Sequence, residues 1–227
     1  MPNYLVLALE SAVAMFGIRS VYEQPKYEVV QRVKDNVEIR RYAPRLAAET
    51  TVQASDEEKG RNEAFRILAS YIFGRNKGQT DIRMTSPVET GRLGREMAMT
   101  APVESRMGSQ EIAMTAPVET AGAGVGRYSM RFFLPATLTQ ATAPVPDDVR
   151  VRLIELPQET IAARTFSGSP SLTTLEARKR ELVDALDGTV WRVTGQPFTL
   201  FYDPPFTIPF LRRNEVAVRV TDAANKQ

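Results

Sequence analysis

Between Met84 and Thr120 the chain writes one phrase three times: Met84-Thr-Ser-Pro-Val-Glu-Thr90, Met99-Thr-Ala-Pro-Val-Glu-Ser105 and Met114-Thr-Ala-Pro-Val-Glu-Thr120. The methionines fall 15 positions apart, and each phrase is led two places earlier by an apolar residue, Ile82, Met97 or Ile112. Such a period is shorter than that of most solenoid repeats, and the copies are too few for an array. In an extended chain Met, Ala (or Ser) and Val face one way, while Thr, Pro and Glu face the other. Proline has no N–H to give to a ladder, so each copy is expected at a sheet edge or at a bulge. The segments Thr90-Gly-Arg-Leu-Gly94 and Arg106-Met-Gly-Ser109 supply the glycines that turns require. The expectation is a flap of extended edge hairpins over about 84–120, inside a single domain. Its methionine faces pack the sheet more readily than they reach a ligand.

The rest of the chain repeats a plan. Tyr27 to Lys34 alternates moderately, and Asp35-Asn36 signals a turn. Val37-Glu-Ile-Arg-Arg-Tyr42 alternates cleanly, with Val37 and Ile39 on one face. Pro44 makes a corner, and Leu46 to Val52 resumes the strand. Ser55, followed by Asp56, Glu57 and Glu58, predicts a capped helix running to Phe73 and ended by Gly74. Its apolar residues form two adjacent stripes: Ala64, Ile67, Leu68, Tyr71 and Ile72, then Phe65, Ala69 and Phe73. Together they cover more of the circumference than a helix lying on one sheet needs. The second stripe is either buried by the protein itself or lines a ligand groove. Gly74-Arg-Asn-Lys-Gly78 lacks the spacing of a phosphate loop and precedes a strand, so no phosphate site is assigned there.

After the triple phrase, Arg127 to Leu134 reads as a strand and Pro135 to Pro146 as a surface loop. Val149 to Leu156, Pro157, Thr160 to Phe166, a helix over about Leu172 to Asp187 ended by Gly188, and strands at Phe198–Tyr202 and Val216–Val220 complete the second half. Strand, proline, strand, helix, strand therefore occurs twice. That predicts one α+β domain with two pseudo-symmetric halves, two main helices covering a mostly antiparallel sheet.

Composition narrows the chemistry. The 227 residues contain no cysteine and no histidine. Disulfides, thiolate nucleophiles, Ser-His-Asp triads and His-ligated zinc or iron are all excluded. No spacing of carboxylates singles out an acid/base pair. The net charge of +2, with both signs interspersed, offers no concentrated basic face for nucleic acid. The N-terminal stretch Tyr4 to Ile18 is apolar but interrupted by Glu10, and it lacks the positive start of a secretory signal. Residues 1–25 are read as an N-terminal helix or anchor segment. Residues 4–18 would give peripheral membrane contact; export or anchoring is the alternative to a cytoplasmic, membrane-associated protein.

At this point the residues resemble the SOUL/haem-binding-protein family. Val37-Glu-Ile-Arg-Arg-Tyr42 with Ala47-Ala-Glu-Thr50 is similar to its opening strands, and Ala64-Phe-Arg-Ile-Leu-Ala-Ser-Tyr-Ile-Phe-Gly74 to its first helix. Met99-Thr-Ala-Pro-Val103 resembles its hallmark phrase. Tyr202-Asp-Pro-Pro205, Pro209 and Arg212-Arg-Asn-Glu-Val216 resemble its closing signature. The likeness runs from about Tyr27 to Val220, within a single domain over 26–222. It implies a distorted antiparallel β-barrel-like sheet and a non-enzymatic carrier, a monomer, for haem or another tetrapyrrole. In the family the ligand groove lies between the first helix and the loop before the last strand. Carried onto this chain, that implicates Phe65, Arg66 and Ala69 on the helix and Phe206, Ile208, Phe210 and Arg212 on the loop, with Arg66 or Arg212 pairing with a propionate. Arg213 and Glu215 are read as a structural pair. The chain departs from the family in carrying three copies of the phrase where two are usual, and in having no histidine. The resemblance therefore implies a site that recognises apolar faces and carboxylates and tolerates metal-free porphyrins. The rival reading is a membrane-surface or protein-interaction module using the N-terminal helix and the edge hairpins. A cofactor-borne activity on the bound tetrapyrrole stands third.

Overall fold

The computed structural model describes residues 23–83, 85–93, 126–203 and 207–223. The expected N-terminal helix at 4–18 and the hairpin residues 94–120 lie outside the described residues. Among the described residues, ten strands form one antiparallel sheet that curls without closing, with two helices on one face. In chain order the elements are β1 (Tyr27–Val33), β2 (Val37–Tyr42), β3 (Arg45–Ala54), α1 (Glu57–Ile72), β4 (Val88–Leu93), β5 (Gly126–Phe133) and β6 (Arg152–Leu156). They continue with β7 (Glu159–Phe166), α2 (Leu172–Asp184), β8 (Trp191–Val193), β9 (Phe198–Phe201) and β10 (Asn214–Asp222).

The sheet order β1-β2-β7-β10-β9-β4-β5-β3-β6, with β8 on the end of β10, exposes the duplication. Each half is a unit of strand, proline corner, strand, helix and two long strands, with β1 added ahead of the first unit and the short β8 inserted in the second. The units meet where β4 pairs β9, through Val88↔Phe201, Glu89↔Leu200 and Thr90↔Thr199. Each unit lends its first strand to the other: β2 pairs β7, and β6 pairs β3. Pro44 and Pro157 therefore mark corners between strands that do not pair with each other, where a missing N–H costs no ladder bond.

Local chemistry explains the element ends. Helix α1 begins one residue later than Ser55 as cap would require. Asp56 takes the cap, its Oδ1 accepting from Lys59 N at 2.8 Å, while Ser55 Oγ donates to Asp56 Oδ2 at 3.0 Å. A carboxylate at that end also meets the positive end of the helix dipole. Gly74 follows the last turn at φ +92°, the left-handed conformation glycine adopts without strain. Helix α2 is capped by Ser171 Oγ, which accepts from Thr174 N at 3.1 Å. It ends at Asp184 rather than Asp187, because the chain tightens into a turn before Gly188. The short β8, paired with Val220–Asp222 through Trp191–Val193, carries too brief an alternation to be read from the sequence.

The first Met-Thr-x-Pro-Val copy sits at the centre of the sheet, not at an edge, because Val88–Thr90 is flanked by β5 and β9. Pro87 is accommodated by standing immediately before β4, so no ladder bond is lost. Several described residues in and around the phrase have tasks. Thr85 Oγ1 donates to Phe133 O, and Ser86 Oγ donates to Tyr202 O at 2.9 Å. Val88 packs against the α1 cluster, and Ile82, two places before Met84, is buried with its N–H on Ile72 O.

Both helices cover the same face. Under α1 lie Leu46, Ala48, Val52, Tyr128, Met130 and Phe132; under α2 lie Ile39, Ala162, Val216 and Val218 with Leu182. The opposite, concave face has its own cluster, including Phe133, Ile161, Phe198 and Leu200.

Candidate ligand-binding site

The concave interior is the first place to look for a ligand, and it is filled. Beside its apolar cluster runs a chain of alternating charges. Arg131 bonds Glu49 (2.6 Å) and Glu89 (2.8 Å), Arg219 bonds Glu89 (3.1 Å) and Glu159 (2.8 Å), and Arg45 bonds Glu159 (2.5 Å). The Arg45–Glu159 pair joins β3 to β7 across the curl, so the interior is bridged from wall to wall. Arg45 lies over the rings of Tyr42 and Phe133, at 4.3 and 4.7 Å. The cavity left beside these groups measures about 10 Å³. That is room for one water molecule and far below what a small organic ligand requires.

At the β10 end of the same face, Glu215 is fully buried and heavily bonded. Its carboxylate accepts from Arg40 Nη1 (2.7 Å) and Nη2 (3.1 Å), Tyr202 Oη (2.8 Å), Thr165 Oγ1 (2.9 Å) and Arg213 Nη2 (2.6 Å). Burial alone would push its pKa up. The hydrogen bonds and charge of Arg40, then of Arg213, outweigh that and hold it below the usual carboxylate value. Burial pushes Tyr202 well above the usual phenol range, with the Glu215 charge adding to the effect. The expected Arg213–Glu215 pair is therefore present, inside a larger knot. Three sequence motifs meet here: Arg40 from the first, Tyr202 from the second, Arg213 and Glu215 from the third. Among the described residues, none of Arg40, Tyr202, Arg213 and Glu215 lines either the small interior cavity or the larger surface cleft near the β1 edge, which fits a structural role.

The helical face offers a different surface. One row of paired residues crosses six strands: Ala48, Phe132, Val88, Phe201, Asn214 and Phe166. Helix α1 lies over the Ala48–Phe132 end of the row. Its inner stripe, Ala64, Ile67, Leu68, Tyr71 and Ile72, is buried, as the periodicity predicts. Its second stripe is not covered to the same degree. Phe65 is 40% exposed and Phe73 67%, while Ala69 is half-buried. The Phe65 ring meets Phe132 edge-on at 5.5 Å. One turn earlier, the Arg61 guanidinium stands over Phe201 at 5.4 Å, so this flank of α1 faces the end of β9. Arg66 is exposed at the next position.

The loop between β9 and β10 leaves the sheet where Phe201 ends β9 and Asn214 begins β10, the fourth and fifth members of that row. Thr207 is buried, Ile208 half-buried and Phe210 74% exposed. Phe206 lies outside the described residues. Arg212 holds the loop in shape: its Nε donates to Thr207 O (2.7 Å) and its Nη1 to Ser169 Oγ (2.6 Å). Gly168 N donates to Pro209 O at 3.0 Å, which ties the loop to the segment entering α2. The strands β5 and β10 are three sheet spacings apart, about 14 Å. Val88 and Phe201 form the floor between them. Arg61 was not among the residues singled out from the sequence, although it stands at i−4 from Phe65 and so shares its face.

A larger surface cleft, about 440 Å³, lies near the β1 edge of the sheet. Its lining mixes Val30, Val190, Trp191 and Val220 with Gln31, Arg41, Gln158, Thr160, Thr221 and Asp222, and most of its exposed surface is polar, which suits the flat apolar faces of a macrocycle less well. Among the described residues, no group of three His, Cys, Asp or Glu is arranged to hold a metal ion, and no helix is long and apolar enough to cross a membrane.

Comparison with known proteins gives the following. The SOUL heme-binding protein family matches residues 22–219. No curated protein sequence matches the chain. Among solved structures, the EcmrR C-terminal domain is similar with a TM-score of 0.55 at 9% identity, covering 86% of this chain and 98% of that one. A hydrolase encoded by lin2189 from Listeria innocua is similar with a TM-score of 0.51 at 10% identity, covering 83% and 93%. At such identities these likenesses concern the fold alone.

Proposed function

The chain belongs to the SOUL haem-binding family, and from that we infer that it binds haem or a related tetrapyrrole on the open flank of α1, as a carrier without a catalytic role. The observation that carries this reading is the second stripe of α1. Phe65 and Phe73 remain exposed on a helix whose other apolar residues are buried, beside a floor of Phe132, Val88 and Phe201. Aromatic side chains left in water beside a shallow apolar floor offer contact area for a flat ring system. Arg61 and Arg66 supply cations along the same helix for peripheral carboxylates. Ile208 and Phe210 form the opposite wall, and the loop's shape depends on Arg212. Arg212 is therefore a positioning residue in this reading, and the carboxylate partner moves to Arg61 and Arg66. The filled concave interior supports placing the ligand on the helical face.

Since the chain lacks histidine, recognition rests on ring faces and carboxylates, and it extends to metal-free porphyrin. The test is a parallel titration with haemin and protoporphyrin, read as Soret shifts and fluorescence quenching. Both should saturate. Phe65→Asp should weaken both by about tenfold or more, since it puts a charge against the ring face. A chain that shows no saturable change, or a variant that binds like the wild type, would refute the site. Product analysis after incubation with haem and a reductant should return the ligand unchanged.

A further inference from the structure

Four charged side chains in the concave interior form an almost closed ring. Arg45 Nη2 donates to Glu159 Oε1 at 2.5 Å, and Glu159 Oε2 accepts from Arg219 Nε at 2.8 Å. Arg219 Nη2 then donates to Glu89 Oε1 at 3.1 Å. The next link would return from Glu89 to Arg45. On these two residues Glu89 Oε2, Arg45 Nη1 and Arg45 Nε are all buried without a hydrogen-bonding partner. Glu89 is only 6% exposed, and both residues line the same cavity of about 10 Å³.

We propose that one ordered water molecule occupies this cavity and closes the ring, accepting from the Arg45 guanidinium and donating to Glu89 Oε2. The chemistry selects water over the other small occupants. A metal cation cannot accept from arginine N–H groups. A halide accepts from arginine but cannot donate to a carboxylate, and would be repelled by it. With Arg131 and Glu49, which continue the chain of charges from Glu89, three arginines face three glutamates, and the further partner of Glu49, Arg152, is largely in solvent, so no counter-ion is required. The volume corresponds to about one water, which needs roughly 10–15 Å³. Arg45 is held between the Tyr42 and Phe133 rings, so turning its guanidinium towards Glu89 would sacrifice both ring contacts. The ring draws β3 and β4 from the first unit and β7 and β10 from the second, so the water completes a weld between the two halves.

The test needs only the full wild-type chain. A crystal structure should show a single density peak within hydrogen-bonding distance of both Arg45 and Glu89. A crystal soaked in bromide should show no anomalous signal there. In solution, NOEs should connect water to the Ile161 methyls and to the Phe133 and Phe198 rings that line the cavity. An anomalous bromide peak would overturn the proposal, because it would make the occupant an anion. So would a cavity without density or water NOEs, or an Arg45 found bonded directly to Glu89.

Discussion

Glu215 shows what one buried carboxylate does for this fold. It is fully buried, yet it draws together a β2 arginine, a tyrosine just past β9 and Arg213 at the entrance to β10. Replacing it by Gln leaves Arg40 and Arg213 facing a neutral group in the interior. Breaking a buried pair in this way typically costs about 3–5 kcal/mol. Glu215→Gln should lower the urea midpoint accordingly, and a change within the scatter of surface variants would show that the knot is not what holds this end of the sheet. The pH dependence has a definite sign. Glu215 is held below its usual value near 4.5, so its contribution is full above that pH and fades as the pH falls through the lower, folded value. Acid unfolding followed by circular dichroism should steepen below about pH 4.5, and Glu215→Gln should flatten that limb. Half of this knot was legible beforehand. Arg213 stands one residue before β10 and Glu215 is its second residue, so their pairing across the loop-to-strand turn is local enough to be expected from the sequence. Arg40, 175 positions away, carries no local signal of its partner.

At the scale of single elements, the two helices diverge in use. The two-stripe pattern of α1 was visible in its spacing, and the structure separates a buried stripe from an exposed one. Whether a second stripe is covered is decided by what packs over it, which spacing cannot say. The matching flank of α2 carries an ion cluster instead, Arg178 and Arg164 both on Glu181, so the duplication of the fold does not extend to the candidate surface. Helix α1 also approaches the sheet unusually closely at its first turn. A Cβ on Gly60 would lie 2.5 Å from Tyr128 Cδ2 and 2.7 Å from its Cγ. That ring is buried at the core and cannot swing aside. Gly60→Ala should cost about 1–3 kcal/mol through overpacking against the roughly 1 kcal/mol that alanine returns in helix propensity, a net destabilisation of up to about 2 kcal/mol. An unfolding midpoint equal to or above the wild type would mean that α1 shifts to admit the methyl group. Nothing in the sequence marks this glycine, because its constraint comes from a residue 68 positions further on.

For the molecule as a whole, the repeated strand, corner, strand, helix, strand plan was readable, but the exchange of first strands between the units was not. Alternation identifies a strand without naming its neighbour, and only the curl of the sheet makes β2–β7 and β6–β3 the better pairs. The same limit explains why the Pro of the first phrase was expected at an edge. Its position one residue before a central strand satisfies the same chemistry. That central slot has a genetic consequence. The ten residues from Asp81 to Thr90 read acid, Ile, x, Met, Thr, x, Pro, Val, Glu, Thr, and Glu111 to Thr120 read the same. A chain lacking residues 84–113, two whole periods, would bring Pro117, Val118 and Glu119 into the slot behind the original Asp81-Ile82-Arg83. In the register of β4 against β5, Ala121, Gly122 and Ala123 would then face Ser129, Tyr128 and Arg127, leaving Gly124-Val125-Gly126 as a three-residue hairpin loop. A methyl group at the Gly91 position meets nothing nearer than 3.6 Å, so Ala121 fits there. The shortened chain should melt cooperatively and keep its far-ultraviolet spectrum, losing within the phrase only the Ser86 hydroxyl; a chain that fails to fold would show that the copies are not interchangeable.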